Sequence, residues 1–270
     1  SMVIWHIKDG NVVEFILELS NMYNCPVGCQ FCASGALEKT PYSLKVEDYW
    51  KQINIMLTDC KVNPNDYNKF CVSFTGIGEP SIVYQEIGIF MREIQEKYLH
   101  TTFIIGTFGY NDKCFDYWLK MDLRIKTLQL PFYSSDEVKL RKIVKNLPDT
   151  YSFYNNLLLA LKYKKEAKYN KCRVKINYLG MKGINDSNEQ VEQFIRLIEQ
   201  VKKEIEVRVS FLNYTKQAKI YGYESPDFTR LNEICEKLRN NEIECYSFGN
   251  ISNEEIGCGQ LVQNKISNNN

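Results

Sequence analysis

Three cysteines stand at positions 25, 29 and 32, in the stretch NCPVGCQFCASG. Thiolates at this spacing, C-x3-C-x2-C, can close around one metal from a single loop. A structural zinc takes four protein ligands, and an ordinary iron–sulfur cluster also takes four. Neither neighbouring segment offers a fourth Cys or His, and the chain has only 2 histidines, His6 and His100. A cluster on three thiolates leaves one iron with an open position, and an open position is where a metal site does chemistry. A structural zinc knot is the competing reading of the spacing taken alone. Two features favour the cluster: the loop follows the first strands of an α/β chain, and Phe31 stands just before the third cysteine.

A second candidate is TGIGEPS, Thr75–Ser81. Gly76 and Gly78 let backbone approach a ligand closely. Glu79 can accept hydrogen bonds from an ammonium. Alone, the run reads equally as a tight turn with a solvated carboxylate. Cys258, in IGCGQL, reads alone as a small residue in a C-terminal turn. The other cysteines, at 60, 71, 114, 172, 235 and 245, are scattered, and most should be small buried residues of a reducing compartment. Ten cysteines in 270 residues are too sparse for a secreted disulfide scaffold.

The elements that must position these residues are legible in the pattern. VIWHI and VVEFILEL flank an Asp-Gly turn and predict an N-terminal hairpin. Val46, Trp50, Ile53 and Leu57 repeat at helical spacing. β-rich runs at 70–76, 102–109, 126–133, 172–180, 206–214 and 243–249 then alternate with helical stretches near 84–98, 112–121, 136–145, 155–165, 187–201 and 228–238. Ser187 to Gln190 fits a capping box ahead of the apolar stripe Val191, Phe194, Ile195, Ile198 and Val201. Such alternation predicts a parallel α/β sheet, open or curled into a partial (β/α)6 barrel, with ligands at the C-terminal ends of the strands. No linker or repeat divides the chain, so one core domain is expected over 2–262, with a polar, disordered tail at 263–270.

Composition bounds the function. Apolar residues at 44% and charged ones at 25% are ordinary for a globular chain, and no apolar run approaches a membrane span. With no basic segment leading into an apolar one at the start, the expected location is the cytoplasm. A net charge of +1 excludes a strongly basic nucleic-acid grip, though not a local patch. The lysines at 162, 164, 165 and 168 read as a solvated helix face.

The run Cys25-x3-Cys29-x-Phe31-Cys32 resembles the signature of the radical S-adenosylmethionine (SAM) superfamily. The resemblance implies a [4Fe–4S] cluster on the three cysteines, SAM on its fourth iron, and an external electron donor such as flavodoxin or ferredoxin. It places Gly76, Gly78 and Glu79 in the segment that binds the SAM amino group, with Phe31 also at the cofactor. Within the superfamily, FCASGALEKTPYSLKVEDYWKQI, VSFTGIGEP, KGINDS and SFGNISNEEIGCGQL fall in the order found in the methyl synthases that modify an adenine of ribosomal RNA. This likeness covers Tyr23–Leu261. It carries Thr107 and Asn185 over as SAM contacts and Cys258 as a carrier that is methylated by one SAM. A second SAM would supply the radical that takes hydrogen from the S-methyl group, and the resulting carbon radical would add to an sp² carbon. Such a carbon is a poor nucleophile, so polar methyl transfer to it fails.

Three departures stand out. The cluster motif begins at position 25, without the family's helical RNA-binding domain ahead of it. Glu18 holds the place of the family's resolving cysteine, as a strand-face carboxylate or as a base in the thiol's stead. Leu130-Pro131-Phe132 replaces a Ser-Leu-His run that meets the SAM ribose. The expected activity is therefore radical C-methylation through Cys258 on a nucleobase, a nucleotide-like small molecule or a peptide. The rivals are direct hydrogen abstraction, as in peptide modification or glycyl-radical activation, and a non-catalytic iron–sulfur or electron-transfer module.

Overall fold

The computed structural model describes residues 2–8, 11–36, 42–213 and 215–248. Cys258 and the 263–270 tail lie outside the described residues. Contacts group the chain into two compact units, one of Ser1–Tyr23, Pro41–Gln129 and Asn156–Arg173, the other of Asn24–Thr40, Leu130–Asn155 and Val174–Asn270.

The first unit opens with the hairpin, β1 (Met2–Lys8) antiparallel to β2 (Asn11–Glu18). Parallel strands follow: β3 (Phe70–Phe74) on β2, β4 (Thr101–Gly106) on β3, and β5, which starts at Ile125, on β4. Strand order thus follows chain order. The connections are α1 (Val46–Cys60), α2 (Tyr84–Lys97) and α3 (Lys113–Lys120). Alternation sets the two faces of the sheet. Phe15, Leu17, Val72, Phe74, Phe103 and Ile105 are wholly buried. Phe74 meets Tyr49 of α1 and Phe90 of α2 edge-on, with ring centroids 5.9 and 6.1 Å apart. The other face carries Glu14, Glu18, Cys71 and Lys126, where Lys126 bonds Glu14. Helix α5 (Phe153–Glu166) adds Tyr163, whose hydroxyl donates to the Leu123 carbonyl at 2.9 Å.

The second unit holds the end of β5 at Phe132, α4 (Glu137–Ile143), β6 (Arg173–Gly180), α6 (Asn188–Ile198), β7 (Ile205–Phe211), α7 (Lys216–Ile220), α8 (Phe228–Asn240) and β8 (Glu244–Phe248). β6, β7 and β8 are parallel in that order. Val174, Ile176 and Tyr178 are buried as the alternation requires. Phe132, Tyr178 and Phe194 form an aromatic core with centroids 4.4 to 5.3 Å apart. The capping box at Ser187 and Gln190 is present as read from the sequence. Gly180 is needed for packing, since a Cβ there would lie 2.3 Å from Leu231 of α8. α7 is a five-residue helix that no periodicity announced.

Candidate functional site

Glu79 is the centre of the first unit's candidate site. It is buried, and its Oε1 accepts from the Ser81 backbone N–H at 3.0 Å, the Ser81 hydroxyl at 2.7 Å and the Thr107 hydroxyl. Its Oε2 accepts from the Phe108 N–H at 3.1 Å. Burial pushes the Glu79 carboxyl above its ordinary range, against those bonds, which favour the anion. The loop after β3 is thereby buckled to the loop after β4, with Glu79 bonded to Thr107. The sequence reading missed the partners that complete this buckle. Asn156 donates to the Phe108 and Gly109 carbonyls at 2.9 and 3.1 Å.

The glycines of the loop serve close approach to protein backbone. A Cβ on Gly76 would lie 2.4 Å from the Leu19 carbonyl oxygen, and Gly78, at φ +105°, abuts Met22. Only glycine fits either place. Glu18 closes β2 and is half-buried. The Thr75 hydroxyl donates to its Oε2 at 2.6 Å, and Ser73 lies 2.8 Å from Thr75. Sequence analysis left Glu18 as strand-face carboxylate or base, and this contact ties it to the strand ends.

The cysteine loop belongs to the second unit. Its backbone is pinned on two sides. Gln30 N–H donates to the Ile143 carbonyl at 2.8 Å, Asn146 N–H to that of Val27 at 3.2 Å, and Cys29 forms an antiparallel bridge with Val144. On the other side the Thr215 hydroxyl donates to the Phe31 carbonyl at 2.5 Å. Thr215 also caps α7 through the Ala218 N–H at 2.9 Å. A Thr ahead of a helical turn is an N-cap signal that could have flagged it. Cys32 N–H returns to the Cys29 carbonyl at 3.0 Å, tightening the loop between the second and third cysteines. Cys25, Cys29 and Cys32 are each partly exposed and in no disulfide. Among the described residues, no group of three or more His, Cys, Asp or Glu side chains is gathered as a metal-holding set. By donor type the loop nonetheless fits a cluster: three thiols, one short segment, a fixed backbone.

Phe31 is buried, edge-on to Tyr133 at 5.2 Å. Asn185 is buried too. Its Nδ2 donates to the Tyr133 and Leu179 carbonyls at 2.9 and 2.8 Å, and its Oδ1 accepts from Met181 N–H at 2.8 Å. The structure thus links Phe31 to Asn185 through Tyr133 and gives Asn185 a latching task between the ends of β5 and β6.

The chain shares the fold of a radical SAM methyltransferase from Sphaerobacter thermophilus, with a TM-score of 0.76 at 20% identity over 92% of this chain and 70% of that one. A spore photoproduct lyase variant shares it with a TM-score of 0.56 at 12% identity, over 85% of this chain and 75% of that one. The fold is therefore the α/β, TIM-like one of the radical SAM enzymes. In sequence the chain is similar to relatives named probable dual-specificity RNA methyltransferase RlmN. That of Dictyoglomus turgidum is 25% identical over 94% of this chain and 76% of its own length. That of Clostridioides difficile is 25% identical over 94% and 74%. No family model matches the chain. By sequence and fold together the chain resembles the radical SAM methyltransferases. No helix among the described residues is long and apolar enough to cross a membrane.

Proposed function

We propose that the chain is a radical SAM methyl synthase: Cys25, Cys29 and Cys32 hold a [4Fe–4S] cluster, and Cys258 carries the methyl group to a nucleobase, a nucleotide-like small molecule or a peptide. When bound, the cluster with SAM at its open iron supplies one-electron cleavage of the sulfonium. The observation that supports this most is the cysteine loop, fixed through its backbone on both flanks while its thiols stay outside disulfides. Convergence of the three side chains accompanies cluster assembly.

The other residues follow from their bonds. Glu79 retains acceptor capacity on Oε2, which takes one protein donor, so an ammonium can share it. Gly76 and Gly78 keep the loop close enough to bring it there. Thr107 acts by holding the Glu79 loop, Asn185 by latching the ends of β5 and β6, and Phe31 gives the second unit an apolar ring against Tyr133. Glu18 cannot form a disulfide with a methyl carrier, so product release differs from a route that uses a resolving thiol. An outside electron donor is required.

Product analysis tests the reading. Anaerobically reconstituted protein, given SAM and a reductant, should yield S-adenosylhomocysteine and 5′-deoxyadenosine. Cys258→Ala should stop the first product, and mass spectrometry of wild type should find one methyl group on Cys258. Formation of 5′-deoxyadenosine alone, unchanged by Cys258→Ala, would favour direct hydrogen abstraction.

A further inference from the structure

The sulfurs of Cys235 and Cys245 lie 2.9 Å apart, buried in the second unit, and both are free thiols. Carbon atoms in contact pack at roughly 3.5–4.0 Å, and sulfur is the larger atom, so the two thiols meet head to head rather than as apolar fillers. Cys235 stands on the buried stripe of α8 with Leu231, Ile234 and Leu238. Cys245 lies on β8, on the face it shares with its cross-strand partner Val207. The turn between helix and strand is fixed. Ile243 N–H donates to the Leu238 carbonyl at 3.1 Å and Glu242 N–H to that of Arg239 at 2.8 Å. Arg239 Nε in turn donates to the Cys245 carbonyl at 2.8 Å. Helix, turn and strand thus hold the thiols together before any bond forms, and groups so oriented react as if at very high concentration.

We propose that Cys235 and Cys245 are a redox modification site, a reversible dithiol–disulfide couple that staples β8 to α8. The couple goes beyond the proposed function and does not depend on it. Among the described residues β8 has a strand neighbour, β7, on one side only, and its Glu244 and Ser247 are exposed. Such an edge opens more readily than a central strand. In the closed state burial, and then the Cys235 thiol beside it, push the Cys245 thiol above its ordinary range, while the Arg239 charge opposes them. Exchange therefore starts while the edge is open. The oxidant is a low-molecular-weight disulfide such as oxidised glutathione. The Cys245 thiolate attacks one of its sulfurs, expels one glutathione thiolate and leaves a mixed disulfide. On reclosure the Cys235 thiolate attacks the Cys245 sulfur and expels the second. Two protein thiols lose two electrons, and the disulfide that gains them leaves as two glutathione thiols carrying the two protons. The chain runs on from β8 to Cys258, so on the proposed function the staple sets how firmly the base of the carrier segment is held.

The test incubates the anaerobically reconstituted full chain with reduced and oxidised glutathione at varied ratio, quenches with acid and maps disulfides by peptide mass spectrometry. A peptide pair linked through Cys235 and Cys245 should appear while the glutathione is still mostly reduced, and dithiothreitol should remove it. Cys114, which is wholly buried, should stay a thiol and serves as the control. Hydrogen exchange of the β8 amides should slow about tenfold or more in the linked form, and that of β4 should stay within about threefold. Cys245→Ala should show neither the link nor the slowing. If that variant misfolds by circular dichroism, Cys235→Ala takes its place with the same expectation. Absence of the linked peptide under excess oxidised glutathione would overturn the proposal. So would equal linkage among other cysteines, or β8 exchange unchanged once the link has formed.

Discussion

The Glu79 buckle and the cysteine loop are both candidate site elements, yet they are held in opposite ways. Around Glu79 the functional side chain is itself the fastener: four protein donors converge on one buried carboxylate. In the cysteine loop the fasteners named above act on the loop's backbone, through backbone bonds and the Thr215 hydroxyl on the Phe31 carbonyl. The difference teaches where each element gets its energy. The buckle draws on protein hydrogen bonds and is complete without cofactor. The loop's backbone is positioned by the protein, and on the proposed function its thiols would add the interactions of a bound cluster.

Substitutions should therefore separate the two. The largest effect on activity is expected at the loop: Cys29→Ala should abolish iron binding, read as iron per chain, and with it SAM cleavage. Unfolding of the metal-free protein should shift by no more than about 1 kcal/mol. A collapse of the metal-free fold would show that the thiols also fasten the loop.

Next comes the buckle. Glu79→Ala leaves four donors without their acceptor and should cost on the order of 3 kcal/mol in denaturant unfolding of the metal-free protein. A loss under about 1 kcal/mol would erase the contrast. The pH profile sharpens it. Because the folded Glu79 carboxyl titrates above its usual 4.5, the native state binds more protons than the unfolded chain just above that pH. Its contribution to stability is fully present below 4.5 and falls as pH rises through the raised value. Glu79→Gln should remove that decline from the melting-temperature profile, while losing stability overall because its amide meets the Phe108 N–H.

Smaller effects follow in the second unit. Asn185→Ala strands one N–H and two carbonyls and should cost about 2 kcal/mol. Its binding of SAM, measured on cluster-loaded protein, should weaken through displacement of Tyr133. The smallest is Glu18→Gln, which keeps an acceptor for Thr75 and should change stability by less than about 1 kcal/mol. Any loss of methylated product at unchanged 5′-deoxyadenosine would then report a proton-accepting role.

The sequence made the frame legible because the frame rests on local rules. The antiparallel pairing of β1 with β2, the period-2 strands and the Ser187 capping box each depend on neighbours a few residues apart, and each is present. The three cysteines were legible for the same reason, lying in one short segment. What pattern could not reveal are the fasteners joined across the chain. Asn156 reaches the 108–109 carbonyls from 47 to 48 positions away, and Thr215 reaches Phe31 from 184. Nothing in the local sequence of either residue encodes its distant partner. Glu79 was legible as an ammonium acceptor, but not as a buried hub.

The most direct measurement is on anaerobically reconstituted protein: metal identity and content, then the fate of SAM once the metal site is reduced. An iron–sulfur cluster lost in the Cys25, Cys29 and Cys32 variants, whose reduction splits SAM into methionine and 5′-deoxyadenosine, is the predicted result. Zinc held with four protein ligands, or SAM recovered intact after reduction, would contradict it.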